Sequence, residues 1–202
     1  MTKYAVHKLK LNLEIKELGN ITLYLGIQIE REEDGSYLNQ SQKMTEILER
    51  FHMQDAKEAR TPMEPDYPKN NGAKNLLPNN DYYRRAIGKL LYIATVTRPD
   101  IAVAVGILCR KVATPCQCDW NAVKRVMQYL KGTNRMKLRL PASSSPKLIG
   151  YVDADWAGDT TDCKSTIFQY GQGTISWSSW KQVTVALSST EVEFIAAAPY
   201  TL

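Results

Sequence analysis

Tyr151-Val152-Asp153-Ala154-Asp155-Trp156-Ala157-Gly158-Asp159 is the stretch on which the fold turns. Side chains alternate along a strand, so Tyr151, Asp153 and Asp155 share one face and Val152, Ala154 and Trp156 the other. Aspartate is a poor strand former. Two of them in one strand therefore call for a metal ion or a solvated edge. Further on, Ser188-Ser189-Thr190-Glu191-Val192-Glu193-Phe194 reads as a capped helix start carrying two more carboxylates. Carboxylates from a strand and a helix, converging on divalent ions, make a metal-dependent phosphodiesterase site.

The surroundings of that stretch are β-rich. Leu148 to Trp156 reads as one strand and Ile167 to Tyr170 as a second. Gly171-Gln172-Gly173 then turns the chain into a third strand from Thr174 to Trp177, and Val183 to Leu187 extends the sheet. That glycine pair is a hairpin and not a phosphate loop, since no helix follows and no Lys-Ser/Thr pair closes it. Pro199 stops the helix that opens at Ser189 or Thr190.

Upstream, Pro141 to Pro146 is a short linker, and Glu64 to Asn80 is a long loop rich in Pro, Asn and Lys. Between them the spacing predicts helices. Asp81 to Val96 puts Ile87, Leu90, Leu91 and Ala94 on one face, and Thr97-Arg98-Pro99-Asp100 breaks it. Ile101, Val105, Leu108 and Val112 recur at helical spacing. A third helix has Asp119 as its N-cap and Gly132 just past its end, with Val123, Val126, Met127 and Leu130 inward. Before the long loop, Ile21 to Glu30 alternates as a strand, Glu33 to Ser36 is a turn, and Tyr37 to Gln40 returns as a hairpin. Ser41 then caps a helix that carries Met44, Ile47, Leu48 and Phe51.

The 202 residues are 44% apolar with a net charge of +5, compatible with a nucleic-acid partner without demanding one. Met1 to Leu13 has no signal-peptide pattern, and no window approaches the roughly 18 apolar residues of a membrane helix. The expectation is a cytoplasmic or nuclear chain with no membrane and no small-molecule substrate. Cys116 and Cys118 stand too close in sequence for an ordinary bridge, and no His lies near them. With Cys109 and Cys163 they read as free intracellular thiols, since the spacing does not suit zinc.

Several motifs in order resemble the C-terminal part of Ty1/copia-type retrotransposon Pol polyproteins. They are Leu25-Gly26-Ile27, Gln40-Ser41-Gln42, Tyr83 to Tyr92, Thr97 to Ile101, Tyr129 to Thr133, Asp153 to Gly158, Lys164-Ser165-Thr166, Ile175-Ser176-Trp177 and Ser188 to Glu191. The resemblance implies an α+β fold: a strand hairpin and a helical thumb/connection region, followed by an incomplete ribonuclease H-like mixed sheet. It divides the chain into the end of a reverse transcriptase palm with the start of the thumb (1–66), a helical thumb/connection region (67–140) and a truncated ribonuclease H-like domain (147–202).

Roles follow from the same resemblance. Leu25, Gly26 and Ile27 belong to a hairpin that grips a primer end, and Lys124, Arg125 and Lys131 are the cations offered to phosphates. Asp153 and Glu193 match the ribonuclease H carboxylates that bind Mg or Mn, with an RNA–DNA hybrid or duplex as the ancestral partner. Glu191 sits about 200° round a helix from Glu193 and cannot face the same ion equally well. Asp155 reads as a solvated strand residue. The chain departs from the pattern in several places. No Tyr-x-Asp-Asp motif occurs, which excludes DNA synthesis. Thr166-Ile167-Phe168 has lost part of a hairpin, and Cys163 and Trp180 stand where basic residues are usual. Two further aspartates are expected beyond Leu202. The reading is thus a Pol fragment whose ancestral hydrolysis is lost. The alternative, a non-catalytic nucleic-acid-binding or host-adopted interaction protein, stays open.

Overall fold

Apolar residues at helical spacing supply the core, and two sheets are laid against it. The computed structural model describes residues 7–11, 14, 16, 19–65, 67, 75–142, 147–154 and 163–181. These form a mixed α+β fold. Strands β1 (Leu23–Tyr24), β2 (Ile27–Glu32) and β3 (Gly35–Asn39) lead into helix α1 (Ser41–Arg50). Helix α2 (Asp81–Val96), a 3-10 turn (Pro99–Ile101), α3 (Ala102–Cys109) and α4 (Gln117–Gly132) follow. Strand β4 (Leu138–Pro141) then returns to pair antiparallel with β3. Strands β5 (Leu148–Ala154), β6 (Cys163–Tyr170) and β7 (Gly173–Lys181) make a second sheet in the order β5-β6-β7.

The helical stripes meet in one core. Met44, Ile47, Leu48 and Phe51 from α1 pack with Tyr83, Ile87, Leu90 and Ile93 from α2. Val105 and Leu108 of α3 and Val123, Val126, Met127 and Leu130 of α4 complete it. Leu91, expected inside, is 41% exposed, and Tyr83, Ala86 and Ile93 take the inner face instead. Tyr83 earns its buried place because its hydroxyl donates to Leu108 O at 2.9 Å.

Several expectations change. The strand expected from Ile21 to Glu30 is broken by a two-residue turn at Leu25 and Gly26, both at positive φ. Strand β4 carries no local sequence signal, because its partner lies about a hundred residues away and the stretch is short. Ser41 opens α1 rather than capping it, and Gln40 holds the cap position. Ser41 Oγ instead lies 2.8 Å from Gln28 Oε1. At α4 the N-cap is Cys116, and Asp119 serves as the third residue of a reciprocal capping box. Among the described residues both sheets are antiparallel rather than mixed. On β5, Tyr151 is exposed and Val152 half-buried, as alternation requires. The expected strand Val183 to Leu187, the helix from Ser189, and Asp155, Trp156 and Glu193 lie outside the described residues.

The cysteines also depart from expectation. Cys116 and Cys118 form a disulfide, while Cys109 is free. Cys116 is extended (φ −99°, ψ 171°) and the chain then coils into α4. That change of direction leaves the two Cα atoms 5.3 Å apart, within the range a disulfide accepts. No helix among the described residues is long and apolar enough to cross a membrane.

A buried cation fixes how the helices cross. Arg98 is 2% exposed. Its Nε and Nη2 donate to the two carboxylate oxygens of Asp100 at 2.9 and 2.7 Å. Nη1 donates to Thr133 O and lies 3.5 Å from Met44 Sδ, and Nη2 also reaches Thr133 Oγ1. Burial pushes the Asp100 carboxyl up, but the Arg98 contacts and the Tyr129 hydroxyl outweigh it and hold it below its ordinary value. Replacing Asp100 by Ala strands a buried guanidinium, so we expect a loss of about 3–5 kcal/mol in urea unfolding at neutral pH. Because the folded carboxyl is depressed, its stabilisation is complete above the unfolded value near pH ~4 and is lost as pH falls through the folded one. The difference between wild type and Asp100→Asn should therefore shrink on acid titration.

Candidate nucleic-acid interface

The β1–β2 hairpin is closed by Leu25 and Gly26, with Tyr24 paired to Ile27 across the turn. Both turn residues sit at positive φ, 52° and 80°. This is the two-residue class whose twist matches that of the flanking strands. Gly26 suits the conformation; Leu25 does not, and a leucine there costs about 1–2 kcal/mol. Leu25 is nonetheless 70% exposed, so its side chain is not held there by a core. What holds the tip is Tyr92 of α2, whose hydroxyl donates to Leu25 O at 2.6 Å. The result is an apolar, exposed finger (Leu23, Tyr24, Leu25) tied by its backbone to a helix.

Beside the tip, α1 and α2 enclose a groove of about 350 Å³ lined by Lys43, Glu46, Arg85, Gly88, Lys89 and Tyr92. Three cations face one carboxylate. Lys43 pairs with Glu46 at 2.9 Å and packs under Gly26, where an added Cβ would stand 2.8 Å from Lys43 Cε. Arg85 Nε donates to Asp81 O at 3.3 Å. Lys89, one turn further along, has no ion-pair partner among the described residues. Gly88 leaves the groove floor open, since nothing lies within 4 Å of a Cβ built there.

The cations named from the sequence have other engagements. Lys124 Nζ lies over the Trp120 ring, 5.8 Å from its centroid. Arg125 pairs with Glu64 at 2.8 Å and donates to Thr61 Oγ1 at 3.0 Å. Lys131, half-buried, donates to Ala56 O at 2.9 Å. Arg125 and Lys131 fasten the segment 56–64 to α4. Leu25, Gly26 and Ile27 do come together, at the tip. Asp153 lies on β5 opposite Ser165, and Glu193 is outside the described residues, so the two carboxylates are not brought together by what is described. Lys43, Arg85 and Lys89 were missed, although Arg85 and Lys89 stand at the i, i+4 spacing that puts two cations on one helix face.

No family model matches the chain, and no solved structure does. Among curated proteins it is similar to the retrovirus-related Pol polyprotein from transposon RE2 of Arabidopsis thaliana, 38% identical over 203 residues. That match takes in 98% of this chain and 14% of the polyprotein, so the chain spans a small part of its relative's length. An uncharacterized mitochondrial protein of the same plant is 35% identical over 196 residues, 96% of this chain and 81% of that protein. A secreted RxLR effector protein, 161, of Plasmopara viticola is 47% identical over 117 residues, 56% of this chain and 82% of the effector.

The turn geometry carries a stability test. Leu25→Asn, which suits positive φ at the first turn position, should stabilise the fold by about 0.5–1 kcal/mol. Chemical denaturation of the two proteins under identical conditions measures the difference, and a loss of stability would contradict the assigned turn.

Proposed function

Because the chain belongs to the family of retrovirus-related Pol polyproteins of copia-type transposons, we propose that it is the segment running from the end of a reverse transcriptase palm, through a helical thumb/connection region, into a truncated ribonuclease H-like sheet. In this reading its activity is backbone contact with an RNA–DNA hybrid or other duplex. The observation that carries it is the groove between α1 and α2, where Lys43, Arg85 and Lys89 line the wall beside a hairpin tip held by Tyr92. Backbone phosphates are read by such cations irrespective of sequence. The exposed Leu23, Tyr24 and Leu25 would then lie against a sugar or base edge at the end of the duplex.

The ancestral reaction of the ribonuclease H part is hydrolysis of the RNA strand by two Mg or Mn ions. Asp153 lies on β5 of the three-stranded sheet, and its expected partner Glu193 lies outside the described residues. The function proposed for the chain is binding at the α1–α2 groove without cleavage. The location in which it acts is the cytoplasm or nucleus, where such a duplex would be met.

Fluorescence anisotropy with a labelled RNA–DNA hybrid tests the binding. Affinity should fall steeply with salt, and Arg85→Gln with Lys89→Gln should reduce the salt slope by about 1–2. Lys124→Gln should leave it unchanged. An affinity no greater than that of an unrelated protein of equal charge would refute the reading. Incubation of the hybrid with the chain and Mg or Mn should leave the RNA intact. Cleavage that disappears in Asp153→Asn would show that catalysis is retained.

A further inference from the structure

We propose that Cys116 and Cys118 form a thiol–disulfide exchange site, with a dithiol as reductant and a disulfide as oxidant. This chemistry is independent of nucleic-acid binding. The pair stands at the head of α4, where Cys116 is the N-cap and Cys118 lies in the first turn. A single residue, Gln117, separates them. So small a ring constrains the unfolded chain little, and the bond adds correspondingly little to global stability. The two sulfurs are not equivalent. Cys116 is 7% exposed, whereas Cys118 is half-buried, so an incoming thiolate reaches the Cys118 sulfur. The bond that breaks then releases the Cys116 sulfur as a thiolate. That sulfur already accepts the Asp119 N–H at 3.4 Å and sits at the positive end of a 16-residue helix. The N–H and the helix end ease its departure as a thiolate against the opposing charge of the Asp119 carboxylate, whose ligand atom lies within 4.8 Å of it.

The step balances. The reductant's first thiolate forms a mixed disulfide with Cys118, and Cys116 takes up a proton. The reductant's second thiolate attacks its own sulfur in that mixed bond, so the reductant becomes a disulfide and Cys118 leaves as a thiol. Two electrons and two protons pass from the dithiol to the pair.

Metal binding is the competing chemistry, since ligand atoms of Cys116, Cys118 and Asp119 lie within 4.8 Å of one another. Asp119, however, is committed. Its Oδ2 accepts the Cys116 N–H at 2.8 Å and its Oδ1 accepts the Tyr67 hydroxyl at 2.6 Å. Two sulfurs alone fall short of a zinc ligand set. The bond also has a local reporter. Gln117 N donates to Asn75 O and Leu77 N to Pro115 O, with Leu76 bridged to Cys116, so the segment 75–77 is stitched onto the disulfide.

The full chain is oxidised with glutathione disulfide, then alkylated natively before and after dithiothreitol, and the tryptic peptide 112–124 is weighed. The oxidised peptide should be unlabelled and two hydrogens lighter, and after reduction it should carry two labels. Cys109, whose thiol burial pushes up, should label more slowly. Amide exchange at Gln117 and Leu77 should rise about tenfold on reduction. Cys116→Ser keeps a capping oxygen and leaves Cys118 to form one mixed disulfide with glutathione. Two labels in the oxidised protein, no label after native reduction, pairing with Cys109 or Cys163, or protection of the reduced pair by stoichiometric zinc would each overturn the proposal. So would a Cys116→Ser chain that takes up no glutathione.

Discussion

The guanidinium of Arg98 is the constraint on which the rest depends. It offers five N–H donors and, being buried, can leave none of them unmet without a large penalty. All five have acceptors: the Asp100 carboxylate, the Thr133 carbonyl and hydroxyl, and the Met44 sulfur. Met44 is on α1, Asp100 on the 3-10 turn and Thr133 just past α4. One side chain therefore dictates the meeting point of three segments far apart in sequence. Asp100 is steadied in turn by the Tyr129 hydroxyl at 2.9 Å, so α4 is tied to the cluster twice. A hydrophobic core tolerates sliding; a fully donated guanidinium does not. The second polar contact of the layer, Thr97 Oγ1 donating to Gln40 Oε1 at 2.8 Å, fixes the entry into α1 against the exit of α2.

That arrangement creates the groove as a by-product of packing. Met44 and Ile47 turn into the core, which leaves Lys43 and Glu46 on the rim facing α2. Ile93 is fully buried on α2, and its neighbour Tyr92 is carried to the rim, where its hydroxyl meets Leu25 O. The strained turn thus sits where a helix carbonyl-binding hydroxyl can hold it. Hairpin tip, tyrosine and cations are positioned by the same crossing angle, and the charged wall needs no separate explanation.

How much of this the sequence discloses depends on the range of the interactions. Helix α2 reads correctly from Asp81 to Val96, because its signals, the apolar stripe and the Thr97-Arg98-Pro99 break, are local. The inward stripe of α4 reads as well for the same reason, although Gly132, expected just past the end, is the last helical residue and Thr133 holds the C-cap position. Its start does not: Cys is a poor cap by residue type, and Asp119 looks like the cap when it is the partner of one. The left-handed Leu25 gives no sign in the sequence, since leucine has no preference for that conformation. Strand β4 is legible only once its partner β3 is known, about a hundred residues earlier. The site follows the same rule. Leu25, Gly26 and Ile27 are recognisable as a motif, but Lys131 and Arg125 look free until Ala56 and Glu64 are seen beside them. Charge in a sequence is only an offer; the fold decides which cations are already taken.

The second sheet is seated by unmet backbone groups as much as by apolar contact. The last carbonyls of α2 have no partner within the helix. Ile93 O is met by the amides of Thr97 and Arg98, and Ala94 O by the indole N–H of Trp177 on β7 at 2.7 Å. Gly173, at the start of β7, lets the strand close on β4: a Cβ there would stand 2.8 Å from Pro141 Cδ. Strand β7 therefore leans on α2, α3 and β4 together, with β6 and β5 outward of it. The strand that carries Asp153 is thus the one of the three farthest from the helical body. Its position is inherited through two ladders from a tryptophan that completes a helix end.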